Sequence, residues 1–163
     1  MMRYSKLVGS LAGLLPFAAF AADMPKEGTF DYISCFSGIS STTKFSNTHS
    51  LVSYENTGMI QSVVPGGPFD KETFHCIGVE MTVEGKVTSG SALCEAADKE
   101  GNKRLARFMS SDGKTTREQL AGTGKYEGST ITNSSFEPLG PFSTIKEGTF
   151  QNCNRQKGNY KLK

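Results

Sequence analysis

The sequence predicts an all-β fold, a single antiparallel barrel of about eight to ten short strands placed after an N-terminal signal peptide. Three observations carry that reading. Apolar residues spaced i, i+3, i+4 and i+7 are nearly missing from residues 22–163, and an amphipathic helix needs that spacing. Short stretches of alternating polarity recur instead, bounded by Gly, Pro, Asn, Asp and Ser. They follow one another at close spacing, as in a barrel or a sandwich, and a barrel has the advantage of closing the sheet on itself and removing exposed edges.

The N-terminus carries Arg3 and Lys6, then an apolar run over residues 7–20, then Ala19-Phe20-Ala21, which supplies small residues at the −3 and −1 positions of a signal-peptidase site. Cleavage after Ala22 would put Phe20 at −3, so the expected division is a signal peptide over 1–21 and one barrel domain over 22–163. The run of 14 residues contains Pro16 and is shorter than the ~20 residues that span a bilayer, so no membrane span is expected. The first cysteine is Cys35, which leaves no N-terminal thiol for lipid attachment. The signal has a bacterial look, and the expected destination is the periplasm or the medium. Taking Arg3 and Lys6 from the 18 Lys+Arg leaves 16, equal to the 16 Asp+Glu. A neutral surface of mixed sign lacks the clustered basic patch that nucleic acid requires, and that class of partner is excluded. The remaining 142 residues suffice for one domain that buries about 70% of its unfolded surface without help from a metal.

Strands are expected over 28–36, 50–55, 59–64, 73–84, 86–96, 103–110, 117–121, 129–133 and 148–153, with a tail strand over 159–162. The clearest alternation lies in 73–84. His75, Ile77, Val79, Met81 and Val83 share one face, and Cys76, Gly78, Glu80, Thr82 and Glu84 share the other. The apolar face is expected to point into the barrel. Glu84-Gly85-Lys86 and Asp98-Lys99-Glu100-Gly101-Asn102 have the chemistry of hairpin turns. The second also resembles a calcium loop, but lacks the ligand pattern that should follow.

Two loops are rich in Pro and Gly, Pro65-Gly66-Gly67-Pro68-Phe69-Asp70 and Glu137-Pro138-Leu139-Gly140-Pro141-Phe142. Each places a Phe after a Gly-Pro pair, so Phe69 and Phe142 are expected to plug the barrel ends or to act as lids over a cavity mouth. A short string recurs as Lys26-Glu27-Gly28-Thr29-Phe30, Lys146-Glu147-Gly148-Thr149-Phe150 and, shortened, Lys71-Glu72-Thr73-Phe74. Its unequal intervals exclude a solenoid. It reads as a common way to begin a strand, with the charges at the exposed edge and Thr-Phe beginning the buried part.

Four cysteines in an exported chain imply two disulfides among three connectivities. Cys35 and Cys153 each lie an odd number of residues after the Phe of the same string, on the first and near-last strands, and would meet if those strands are neighbours. Cys76 and Cys94 stand nine residues either side of Gly85 and would then pair across that hairpin. Metal binding is disfavoured, because no Cys-x-x-Cys occurs and the one histidine close to a cysteine, His75 beside Cys76, would lie on the other strand face. No cofactor is expected. Nucleophile elbows, phosphate loops and His-Glu-x-x-His segments are missing too. His75 is the polar group expected to line a lumen, with Ile77, Val79, Met81, Phe69 and Phe142 as its companions.

Ala121-Gly122-Thr123-Gly124-Lys125-Tyr126-Glu127-Gly128 resembles the Gly-Thr-Gly-x-aromatic-x-Gly segment of the allene oxide cyclase and dirigent barrels and of small exported bacterial proteins with a similar barrel. The segment from Cys94 to Lys103 is similar to a hairpin of those bacterial proteins. The resemblance implies an eight-stranded barrel over most of the mature chain, in which three glycines let the backbone turn tightly while the aromatic packs inward. After the motif the chain departs from the pattern, with Ser129 to Ser134 where many relatives have another Gly-x-Gly. No catalytic residue of the plant cyclases falls inside the matched segment, so fold and not activity is what carries over. The expected function is a non-catalytic, disulfide-braced barrel that binds a small apolar ligand or a protein partner. The alternatives are a cyclase or isomerase acting on an apolar substrate, and an envelope or effector protein acting by surface contact. The volume of the lumen discriminates between them.

Overall fold

The computed structural model describes residues 24–163; the signal peptide expected over 1–21 and its cleavage before Ala22 lie outside the described residues. Eight strands account for most of this span: β1 (Glu27–Lys44), β2 (His49–Ser62), β3 (Thr73–Val83), β4 (Lys86–Ala97), β5 (Lys103–Ser111), β6 (Lys114–Gly122), β7 (Thr130–Pro138) and β8 (Thr149–Lys161). Among the described residues no helix is long and apolar enough to cross a membrane. The strands form one antiparallel sheet in the order β6-β5-β4-β3-β2-β1-β8-β7. The first and last strands are therefore neighbours, and the sheet curls until β6 lies alongside β7. No ladder joins those two, so the all-β barrel is nearly closed, with one seam. Phe108 of β5 and Phe136 of β7 meet edge-to-face inside it, with ring centroids 5.8 Å apart.

The strand count falls at the low end of the expected range because two pairs of expected strands are single. The expected strands 50–55 and 59–64 merge into β2, which ends at Ser62, and 148–153 and 159–162 merge into β8, which runs from Thr149 to Lys161. The glycines between them do not turn the chain. A Cβ at Gly58 would collide with the Cys35 carbonyl and the Phe74 ring, and one at Gly158 with the Phe30 ring. These glycines admit an aromatic ring across the pleat within a continuous strand. True turns occur at Glu84-Gly85 and at Asp112-Gly113, where both residues have positive φ, as a two-residue hairpin of matching twist requires.

Both disulfides link directly opposed residues. Cys35 faces Cys153 across β1 and β8, and Cys76 faces Cys94 across β3 and β4, each with Cα atoms 4.1 Å apart. Opposed antiparallel residues without mutual hydrogen bonds come close enough for this. The Cys76–Cys94 bridge lies on the lumen side, while Cys35 is exposed between the inward Ser34 and Phe36.

One end of the barrel is sealed. Phe30, Tyr32, Ile60, Phe69, Tyr126, Tyr160 and Leu162 form a single core where β1 begins and β8 ends. Phe69, only 4% exposed, stands at its centre, with the rings of Phe30, Tyr32, Tyr126 and Tyr160 at 5.4–6.1 Å. Its loop is held by the Asp70 carboxylate, which accepts hydrogen bonds from the amides of Ser62 and Gly66, each at 3.0 Å. Behind Phe69 the buried Glu72 carboxylate accepts from Arg104 Nε at 2.8 Å and from the Tyr126 hydroxyl at 2.6 Å. The Arg104 guanidinium lies 4.2 Å from the centre of the Phe69 ring.

Two sequence expectations meet this core. In the recurring string Phe30, Phe74 and Phe150 pack inward, but Glu72 is buried as the counterion of Arg104, unlike the exposed Glu27 and Glu147. In the Gly-Thr-Gly segment Tyr126 is buried in a 3-10 turn, Gly124–Tyr126. Its positive φ and the closeness of Asn102 leave no room for a Cβ at Gly124.

Candidate functional site

Above the sealed end the barrel encloses a cavity of about 860 Å³ that extends to the hairpin end, where Gly113 and Lys114 border it. A cavity of that size can hold one small molecule. It exists because β4 and β5 turn small residues inward, Ala92, Ala96 and Ala106, while the rings come from elsewhere. Phe36, Tyr54, Phe74, Phe108, Phe136 and Phe150 line the wall. They pack edge-to-face among themselves, Phe36 against Phe74 and Phe150, and Tyr54 against Phe150, at 6.0–6.3 Å.

Of the polar groups that line the cavity, two sets bear on its chemistry. Near the sealed end, Arg117 Nη1 donates to the Tyr32 hydroxyl at 2.9 Å, Tyr32 donates to Gln156 Oε1 at 2.8 Å, and Gln156 Nε2 donates to Asn154 Oδ1 at 2.8 Å. The Arg117 guanidinium also lies over Phe108, 5.5 Å from the ring centre. Its Nε has no hydrogen-bond partner among the described residues, and the same is true of Asn56 Oδ1 on the β2 part of the wall. Burial, with the Arg104 charge adding to it, holds the Arg117 pKa below its usual value, against the pull of the Tyr32 hydroxyl and the Glu72 carboxylate; a guanidinium nonetheless stays charged at any physiological pH. Arg104 differs. Burial opposes its charge too, but Glu72 outweighs that and raises its pKa.

Higher in the cavity, Tyr54 lies across Gly78, and Glu80 is the next inward residue of β3. Half-buried among apolar groups, the Glu80 carboxyl has a raised pKa because burial penalises its charge. Burial, with Glu80 adding to it, pushes the Tyr54 hydroxyl up to about 12.

The structure reverses the face of β3 expected to line this lumen. Cys76, Gly78 and Glu80 point inward, whereas Ile77 and Val79 are 54% and 58% exposed on the outer wall. His75 is outside as well, its Nε2 2.9 Å from Glu55 Oε1 of β2. Val79 and Met81 border a groove on the outer wall beside Leu51 and Ser91. Phe69 seals the barrel as a plug and does not line the cavity; Phe142, 48% exposed, pairs by its backbone with Gln151 and also lies away from the lumen. The reversal has a steric cause. The Tyr54 ring of the neighbouring strand needs a small residue opposite it, so beyond Phe74 the inward stripe of β3 is Cys76, Gly78 and Glu80, and the aliphatic Ile77 and Val79 are left outside.

Arg117 escaped the sequence reading because its neighbours Thr116 and Glu118 are polar, so 114–119 shows no alternation of hydrophobicity. The signal that finds it is the Asp112-Gly113 turn. Counting outward from that turn sets Arg117 opposite Phe108. In the hairpin Asp98–Asn102, both Asp98 oxygens are taken by N–H donors, the amides of Glu100 and Asn102 on Oδ1, and Asn102 Nδ2 and Lys125 on Oδ2. Comparison with protein-family models, curated proteins and solved structures finds no match for this chain. The resemblance to the allene oxide cyclase and dirigent barrels finds no support in these comparisons; what the structure shows is a nearly closed antiparallel barrel with two disulfides.

Proposed function

We propose that this protein is an exported binding barrel that takes one small, largely apolar molecule into its lumen. The cavity carries this reading: about 860 Å³, walled by aromatic rings and open towards the hairpin end. A barrel acting only through its surface has no use for such a space, and core voids of this size are costly in a packed protein. Support for an oxidising setting outside the cytoplasm comes from the pairing of all four cysteines.

The test uses the fluorescence of N-phenyl-1-naphthylamine, a neutral probe that brightens in apolar surroundings. Wild-type protein is expected to bind it at one site, and Ala106→Trp, which adds an indole to the lumen wall, is expected to abolish binding while the far-UV circular dichroism of the barrel persists. Equal binding by Ala106→Trp would place the probe elsewhere and end the reading.

A second reading, a protein partner on the outer wall, is favoured by the exposed aliphatic residues Leu51, Ile77, Val79 and Leu93 on adjacent strands. Contiguous exposed apolar surface of this kind marks interaction sites. Sedimentation velocity over a range of concentrations checks the simplest case, self-association, which Ile77→Lys with Leu93→Lys should suppress.

A further inference from the structure

We propose that the lumen ligand is a small aromatic carboxylate, its carboxylate held by Arg117 and its ring by Phe36, Phe74, Phe108 and Phe150. The proposal rests on the lumen reading above and goes further by naming the chemical class. Of the four described arginines, Arg104, Arg107 and Arg155 each pair with a carboxylate, of Glu72, Glu118 and Asp31. Arg117 pairs with none among the described residues, although it is partly buried in the lumen wall and hydrogen-bonded to the Tyr32 hydroxyl. A guanidinium partly withdrawn from water with no ion-pair partner is unfavourable, and one neutral hydroxyl does not replace a counterion. An anion entering the cavity supplies the missing partner. One cation suits a monoanion, and a planar carboxylate matches the guanidinium fork with two parallel hydrogen bonds.

The rest of the ligand follows from the wall. Seven aromatic side chains line it, against the aliphatic Val52 and Ile60 and three alanines. Rings prefer offset or edge-to-face contacts with other rings, and the wall rings already meet in that way at 5.8–6.3 Å. An aromatic body beside Phe108 also comes within reach of the guanidinium that covers this ring.

Calorimetric titration of the disulfide-intact protein with 2-naphthoate and 2-naphthamide separates charge from shape, since the two are nearly isosteric. Wild type should bind the acid at least tenfold more tightly than the amide. Arg117→Gln should remove that preference and leave the amide within about twofold, and its melting temperature reports whether it folds. Should Arg117→Gln fail to fold, the acid-to-amide ratio of wild type still decides. Equal binding of acid and amide by wild type, or a preference that survives in folded Arg117→Gln, overturns the carboxylate site while leaving the lumen reading intact. Tighter binding of decanoate than of 2-naphthoate overturns the aromatic class. Binding of neither naphthalene compound overturns this proposal; if N-phenyl-1-naphthylamine also fails to bind, the lumen reading falls with it.

Discussion

Single residues show how inner and outer faces are chosen in this barrel. Polarity does not choose them; space does. Gly58 lies under the Phe74 ring and Gly78 under Tyr54, so the inward stripes of β2 and β3 are defined by what they leave open. Val79→Asp, an outward change at a residue 58% exposed, should therefore alter stability by no more than ~1 kcal/mol. Gly58→Val should cost about 1–3 kcal/mol, as overpacking does; urea unfolding of both variants checks the contrast, and the opposite order would mean that β3 is turned the other way. Glu80 makes a second prediction with a definite sign. Its folded pKa is raised by burial above the ordinary 4.5, so the folded state holds that proton more tightly than the unfolded chain does. The penalty is complete at neutral pH, fades as pH falls through the raised value, and is gone below 4.5. Glu80→Gln should melt higher than wild type at pH 7, and the two should converge near pH ~4. Asp31, held low by its hydrogen bonds from Arg155, and Asp98, held low against burial by Lys125 and Asn102, lose their contributions in acid equally in both proteins. Convergence therefore reports on Glu80 alone.

At the scale of elements, the sequence made the strands and most turns legible and left their interior chemistry hidden. β3, β4 and β5 were readable because alternation and turn residues agree there, and β2 and β8 were split because a glycine inside a strand looks in sequence like one in a turn. The plug was half-readable. Phe69 stood out after its Gly-Pro pair, whereas the ion pair behind it joins residues 32 positions apart and leaves no local pattern. That network ties the start of β3 to the start of β5 and to the 3-10 turn through Glu72, Arg104 and Tyr126. Removing one partner strands a buried charge. Glu72→Leu should cost about 3–5 kcal/mol, and adding Arg104→Met should recover more than half of that, because a buried pair replaced by apolar groups is often nearly neutral. Equal destabilisation of the single and double variants in urea would show that Glu72 acts through packing or the Tyr126 hydroxyl, and not as a counterion.

At the scale of the whole molecule, the question is what keeps a barrel with an unpaired seam closed around its cavity. The ladder is continuous from β6 through β1 to β7, and only side chains such as Phe108 and Phe136 bridge the gap. Closure therefore depends on β1 holding β8, the contact between the two ends of the chain. The two disulfides act on this differently. Cys35–Cys153 joins residues 118 apart in sequence at that contact, and Cys76–Cys94 joins residues 18 apart within one hairpin. In the chain-entropy account a bridge stabilises by shrinking the unfolded ensemble, and it does so more for a longer loop: about 3 kcal/mol near 15 residues and nearly 5 near 100. Cys35→Ser with Cys153→Ser should thus lower stability by roughly 1.5 kcal/mol more than Cys76→Ser with Cys94→Ser. The first pair of changes should also speed amide exchange in β7 and β8 ahead of β3 and β4, since β8 is the strand whose tether is lost and β7 pairs only with it. Stability from urea titrations and exchange followed by mass spectrometry give both orders. If the hairpin bridge proves the costlier to remove, the lumen wall at Cys76 and Cys94, and not the joining of the chain's two ends, is what keeps the cavity in shape.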